Sequence, residues 1–207
     1  MDDPALNEPW FEGFESLIPG AGLQYPLGWT LVNGNESSTS WDVIANSQGY
    51  PDNAYSGDKA INIAFGFLQS LNDWLITPPI NFEANKSYKI SFYVKAPAYT
   101  GGGEPTSEKL MVCLGTTNNP TDLLQGQIWN NDQLSLDDYT YQEIQLDGLD
   151  DGQYYLGFYA YSETMMWIIF VDDVAMDIIT ADNTNKIENV NVNTNQTKQI
   201  INNMNKN

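Results

Sequence analysis

The chain has 207 residues, 42% of them hydrophobic, which suffices for one substantial core and leaves no room for two. Its formal charge is −19, its eight basic side chains are all Lys, and it contains no His; such a surface repels nucleic-acid phosphates and anionic membranes, and without His the serine triad and nearly all catalytic zinc sites are excluded. No apolar run reaches the ~18 residues of a membrane-spanning helix, and a single cysteine, Cys113, rules out an internal disulfide framework.

Residues 1–9 are polar and read as an irregular lead-in, with structure starting at Trp10. Trp10-Phe11-Glu12-Gly13-Phe14-Glu15 interleaves aromatics with acids, and Glu15 leaves this strand for the Pro19-Gly20-Ala21-Gly22 loop. After Trp29-Thr30-Leu31-Val32 a turn at Asn33-Gly34-Asn35 leads to a short strand, Trp41-Asp42-Val43-Ile44. Residues 49–59 form a long loop with several oxygen donors, and Ala60 to Phe65 alternate as a half-buried strand. Asp73-Trp74-Leu75-Ile76 is a strand cut off by Pro78 and Pro79, which suits an edge or a strand end. Ser87 to Ala96 is the clearest strand, with Tyr88, Ile90, Phe92 and Val94 on one face.

Residues 97–107, with three consecutive glycines, read as a flexible excursion before the apolar strand that holds Cys113 as a small core residue. Pro120 to Gln125 reads as one helical turn capped by Thr121, and Trp129 falls in a polar loop region. Strands follow at Tyr139 to Leu146 and Gln153 to Tyr161. Seven apolar residues, Met165 to Val171, then predict a strand buried on both faces. It runs into Asp172 and Asp173, one of which the strand alternation turns inward and the other outward. A buried carboxylate needs a partner, and with no Arg or His a bound cation is the simplest one.

About ten short strands and no long helix imply an all-β fold, an antiparallel β-sandwich with jelly-roll topology. The domain is expected over residues 10–182. At Asn183 the composition changes, and residues 183–207 hold ten Asn and no aromatic. Such a tail buries too little apolar surface to offset its ordering entropy and is expected to be disordered.

The order of Phe14-Glu15, Pro26-Leu27-Gly28-Trp29-Thr30, Trp41, Gly57-Asp58-Lys59-Ala60, Asn72-Asp73-Trp74-Leu75-Ile76-Thr77-Pro78-Pro79-Ile80, Tyr155-Leu156-Gly157-Phe158 and Val171-Asp172-Asp173-Val174 resembles the cleaved-adhesin, or choice-of-anchor J, domains of Bacteroidetes surface proteins. These are similar in turn to meprin-type domains and jelly-roll carbohydrate-binding modules. The resemblance implies a secreted or cell-surface β-sandwich with a structural calcium ion near its first and last strands. The metal residues it implies are Glu15 and one of Asp172 and Asp173, Asp172 being preferred, with Asp58 as a further candidate. Calcium takes about six to eight oxygens, so carbonyls or water would complete the set. The tail from Lys186 is similar to the linker that precedes a sorting signal in such proteins, and Met1 is expected to stand where a leader has been removed.

The preferred reading is a non-catalytic adhesion or ligand-binding module whose partner is a host or dietary glycan or a surface protein. A structural spacer domain is the alternative, and a carboxylate-based glycosidase a third, against which stands the lack of a compact Glu-x-Asp-x-x-Glu strand. Trp129 and Tyr99 are the aromatics expected to stack on a sugar, whereas Trp74 and Trp167, in apolar strands, are expected in the core.

Overall fold

Strand β7 (Tyr88–Ala96) shows how this sequence builds a sheet. Tyr88, Ile90, Phe92 and Val94 are fully buried, while Lys89, Tyr93 and Lys95 between them are partly exposed, the period of two that a pleated strand imposes. The structure is a computed structural model and describes residue 6 and residues 9–20, 25–48, 52–66, 68–99 and 105–179.

Two six-stranded sheets face each other. Sheet I runs in the order β10 (Leu136–Leu146), β7, β12 (Ile168–Ile178), β4 (Lys59–Ala64) and β3 (Asp42–Ala45), and β1 (Trp10–Glu12) pairs with β12 as well. Sheet II runs β2 (Thr30–Asn33), β5 (Asp73–Ile76), β11 (Gly152–Ala160), β8 (Glu108–Gly115) and β9 (Gln127–Leu134), with β6 (Ile80–Phe82) also on β11. Every pairing between these strands is antiparallel. The chain repeatedly changes sheets, so the expected antiparallel sandwich is the one that forms. The only α-helical turn among the described residues is α1 (Pro120–Leu123).

The inward faces make one core. Phe92 of β7 and Phe158 of β11 meet edge to face at 5.4 Å, a favoured aromatic geometry. Trp41 is fully buried and donates its indole N–H to the Asp73 carbonyl at 3.2 Å. Strand β5 lies inside sheet II between β2 and β11, so Pro78 and Pro79 mark its end and not an edge. Thr77 bridges that end, donating its N–H to the Leu156 carbonyl at 2.9 Å and accepting the Leu156 N–H on its hydroxyl at 3.0 Å.

Four local expectations are corrected. The first strand stops at Glu12, because Phe14 takes a left-handed conformation (φ +57°) and turns the chain. The helical turn is capped by Asn119, whose side-chain oxygen accepts the Thr121 N–H at 2.8 Å. Trp129 lies in strand β9, a polar edge strand that pairs with β8. Trp167 precedes β12 and is half-buried between Phe65 and Tyr99 instead of lying in the core. The tail expected at 183–207 lies outside the described residues.

Candidate functional site

The acids singled out in the sequence meet on one loop, Asp52 to Lys59, which crosses the outer side of sheet I. Asp172 pairs with Tyr93 of β7, and Tyr93 alternates with the inward Phe92 and Val94, so Asp172 points outward. It is nonetheless fully buried, because the loop lies over it. Its Oδ2 accepts the N–H groups of Tyr55 (2.9 Å) and Ser56 (3.2 Å), and its Oδ1 that of Asp173 (2.7 Å).

The expected inward and outward split of the two aspartates does not occur. Between the pairs Asp172 with Tyr93 and Ala175 with Ser91, β12 spends one residue more than β7. This bulge, with Asp173 at φ +48°, restores Val174 to the core while Asp173 stays half-buried. Asp173 Oδ1 accepts the Ser56 hydroxyl at 2.9 Å. A Cβ built on Gly13 would stand 3.3 Å from the same oxygen, so the turn after β1 comes against β12 here.

Glu15 holds the other end of the loop. Its Oε1 accepts the N–H groups of Asp58 (3.0 Å) and Lys59 (2.8 Å), and Lys59 Nζ returns a bond of 2.6 Å to the Glu15 carbonyl. Gly57 sits between at φ +62°, and a Cβ there would be 2.4 Å from Glu15 Oε1, so only glycine leaves room for the carboxylate. Asp58 contributes its backbone N–H, with an exposed side chain. Burial drives the Asp172 carboxyl up to about 7, partly offset by the amides of Ser56, Asp173 and Tyr55.

Glu15, Asp172 and Asp173 each bind this one loop, Glu15 and Asp172 through backbone N–H donors and Asp173 through the Ser56 hydroxyl. Four loop amides point at the two carboxylates Glu15 and Asp172. Among the described residues no three acid, His or Cys side chains come together to hold an ion. The side chains as placed do not fit a calcium cage; the buried charge is met by backbone N–H groups.

The loop also carries Tyr55 onto the sheet. Its ring stacks on Tyr93 (centroids 3.4 Å, planes 13° apart), and Tyr93 lies 5.3 Å from Tyr141 of β10. Tyr55 and Tyr141 keep 45% and 43% of their surface exposed, with Tyr93 partly exposed beneath the Tyr55 ring. Beside it, Tyr139 donates its hydroxyl to the Asn53 carbonyl, and burial, then the Asp172 and Asp173 charges, hold that phenol far above its ordinary range.

Of the two aromatics first chosen, Tyr99 is 45% exposed and stacked on Trp167 at 5.1 Å. Trp129 is half-buried, edge-on to Phe92, and its indole N–H donates to Gln142 Oε1 at 3.2 Å. It therefore closes the rim of the core. Trp74 is buried, as expected, but on the outer side of sheet II, where Ile76, Cys113 and Leu123 of α1 surround it and Tyr159 stacks on it at 4.4 Å. The Tyr55, Tyr93 and Tyr141 row was missed. Its signal was present in the outward positions of two alternating strands that each carry Tyr.

Two buried acids lie apart from this surface. Asp73 is raised to about 6 and Glu108 is raised as well, burial being the leading cause in both. Glu108 accepts the Trp167 N–H and so braces the turn before β12.

The sandwich superposes on solved cleaved-adhesin domains and on a carbohydrate-binding module. The K1 cleaved adhesin domain of Lys-gingipain from Porphyromonas gingivalis W83 superposes with a TM-score of 0.64 at 18% identity, over 82% of this chain and 97% of that one. The K3 domain of the same protein gives 0.61 at 16%, over 81% and 98%. The module TmCBM61, solved in complex with β-1,4-galactotriose, gives 0.53 at 16%, over 79% and 92%. No family model matches the sequence, and no curated protein matches it. At such identities the likeness establishes the fold, which is the one the sequence resemblance implied.

Proposed function

We propose that this chain is a non-catalytic, glycan-binding adhesion module that works on the cell exterior, and that the outer face of sheet I is its contact surface. The observation that carries this is the partly exposed row Tyr55, Tyr93 and Tyr141. A phenol ring offers an apolar face to the C–H side of a pyranose and a hydroxyl at its rim. Glu143 accepts the Tyr141 hydroxyl at 2.8 Å, and Lys89 stands 3.7 Å from Glu143, so the row is bordered by groups that hydrogen-bond sugar hydroxyls. The fold shared with adhesin domains and with a module solved on a galactan fragment supports the same reading.

The clasp gives the surface its rigidity. Tyr55 belongs to the loop that Glu15 and Asp172 hold by four backbone hydrogen bonds, so its ring is placed before a ligand arrives, which lowers the ordering cost of binding. Asp73 and Glu108 are buried, which suits bracing and not acid–base work on a polymer.

The test is calorimetric titration against a panel of β-linked and α-linked oligosaccharides, galactan, xylan and glucan fragments included. Tyr141→Ala removes an exposed ring without opening the core and should weaken the best binder about tenfold, or ~1.4 kcal/mol. A panel without a single binder would overturn the proposal.

A further inference from the structure

Beyond the tyrosine row, sheet I carries a cleft of about 260 Å³ lined by Asn53, Lys95, Pro97, Asp137, Trp167, Ile168 and Phe170. We infer that this cleft is a subsite for one terminal hexopyranose unit, a site that rests on the glycan-binding reading and gives it an end-group specificity.

Size comes first. Pockets for drug-sized ligands run roughly 300–1,000 Å³, so this cleft holds one ring and not a chain. An exposed aromatic row accepts internal units of a polymer, whereas a cleft with room for one ring suits an end unit.

Charge and polarity then select the chemistry. Lys95 Nζ is fixed by a bond of 2.7 Å to the Asp52 carbonyl and stands 5.4 Å from the ring centres of both Tyr139 and Phe170. An ammonium has three donors, so it can serve a guest while remaining anchored. A cationic guest, though drawn by the net negative charge of the chain, is opposed within the cleft by this ammonium. An anionic guest is opposed by Asp137 and by the field of a chain with 27 acids against 8 lysines. A purely apolar guest would make no use of the Lys95 and Asp137 side chains that line the cleft.

What remains is a neutral molecule with one apolar face and several hydroxyls. Trp167, Ile168, Phe170 and Pro97 supply the apolar wall. Asp137 accepts from hydroxyls, Lys95 donates to them, and a sugar ring presents both needs at adjacent carbons. A further sign of an unfilled polar requirement is Asn53. It is fully buried, its amide nitrogen donates to the Ala45 and Gln48 carbonyls at 2.8 and 3.2 Å, and its Oδ1 has no hydrogen-bond partner among the described residues.

The cleft and the row are neighbours. Asn53 and Tyr55 share the clasped loop, Lys95 of the cleft stands 5.4 Å from the Tyr139 ring, and Tyr139 lies 5.8 Å from Tyr55. A glycan whose last ring enters the cleft would lay its next units toward Tyr55.

The experiment is amide and indole NMR of the full chain, titrated with the methyl glycosides of glucose, galactose, mannose and N-acetylglucosamine. Expected is a saturable shift, with at least one of them, at the Asn53 side-chain amide and the Trp167 indole N–H, and its weakening at least tenfold in Asp137→Ala. Asp137 is exposed, so that variant should fold; if it does not, Lys95→Met read by the same resonances replaces it. Shifts confined to Tyr93 and Tyr141 would overturn the cleft and leave the glycan reading standing. No shift with any monosaccharide, while oligosaccharides bind, would do the same. No response to any saccharide would overturn both.

Discussion

Gly57→Ala is the substitution that most sharply probes the clasp. The residue sits at φ +62°, and its new Cβ would fall 2.4 Å from Glu15 Oε1 and 2.6 Å from Glu15 Cδ. An L-residue in the left-handed region costs about 1–2 kcal/mol. The clash also forces Glu15 off the Asp58 and Lys59 amides, and two exposed bonds of this kind add roughly 1 kcal/mol together, near the low end for such bonds. The sum is about 2–3 kcal/mol. For a domain of this size each kcal/mol shifts Tm by about 2–4 °C, so differential scanning calorimetry should show a fall of roughly 5–10 °C. Gly148, at φ +70° with nothing within 4 Å of its Cβ, supplies the control: Gly148→Ala carries the conformational cost alone. Equal losses in the two variants would refute the role of Glu15. So would an unchanged or raised Tm in Gly57→Ala, since an unstrained Gly→Ala change stabilises by about 0.4–1 kcal/mol.

Other expectations follow from the same geometry. Because loop amides already occupy Glu15 Oε1 and Asp172 Oδ2, calcium should leave Tm unchanged relative to chelator. An ion at about a hundred times its dissociation constant would instead add about 2.7 kcal/mol, and a rise of that size would show that the clasp rearranges around a metal. Asp172 and Asp73 are raised by burial to about 7 and about 6, so between an ordinary aspartate value and these the folded state holds more protons than the unfolded one. Stability therefore falls as pH rises through that window, and melts at about pH 5 and about pH 8 should give the higher Tm at the lower pH, the opposite order contradicting the assignment. Cys113 is fully buried and its thiol is pushed up to about 11 by burial; it should resist alkylation in native protein and react once denaturant is added, and rapid native labelling would show an opening of sheet II.

Much of the fold was legible because burial dictates it. The strand expected over Ser87 to Ala96 forms as β7, and Ile168 to Val171 of the apolar run are buried in β12, whereas Met165 to Trp167 precede that strand and are not buried. Sheet membership was less legible, since a polar edge strand such as β9 carries no apolar alternation; Trp129 therefore looked like a loop residue. The bulge at Asp172 and Asp173 was hidden for a related reason. One inserted residue changes which face every later side chain takes, and nothing in the local sequence marks it except the return of Val174 to the core. The family resemblance singled out Glu15 and Asp172, but not that each holds a different part of the same loop. Backbone amides of residues 55, 56, 58 and 59 have no sequence signature, so the N–H donors that meet these carboxylates were not legible. Tyr55 is another such case, because only the clasped loop brings it over Tyr93.

The most direct test of a loop held by carboxylates so as to present an aromatic surface is a titration that separates the surface from its support. Oligosaccharide affinity would be compared in the native chain, in Tyr55→Ala, which removes the ring, and in Glu15→Gln, which weakens the clasp but leaves every tyrosine in place. The account predicts that both variants lose affinity for the same glycan, with Glu15→Gln also lowering Tm. Glu15→Gln binding as tightly as the native chain despite a lowered Tm would contradict it.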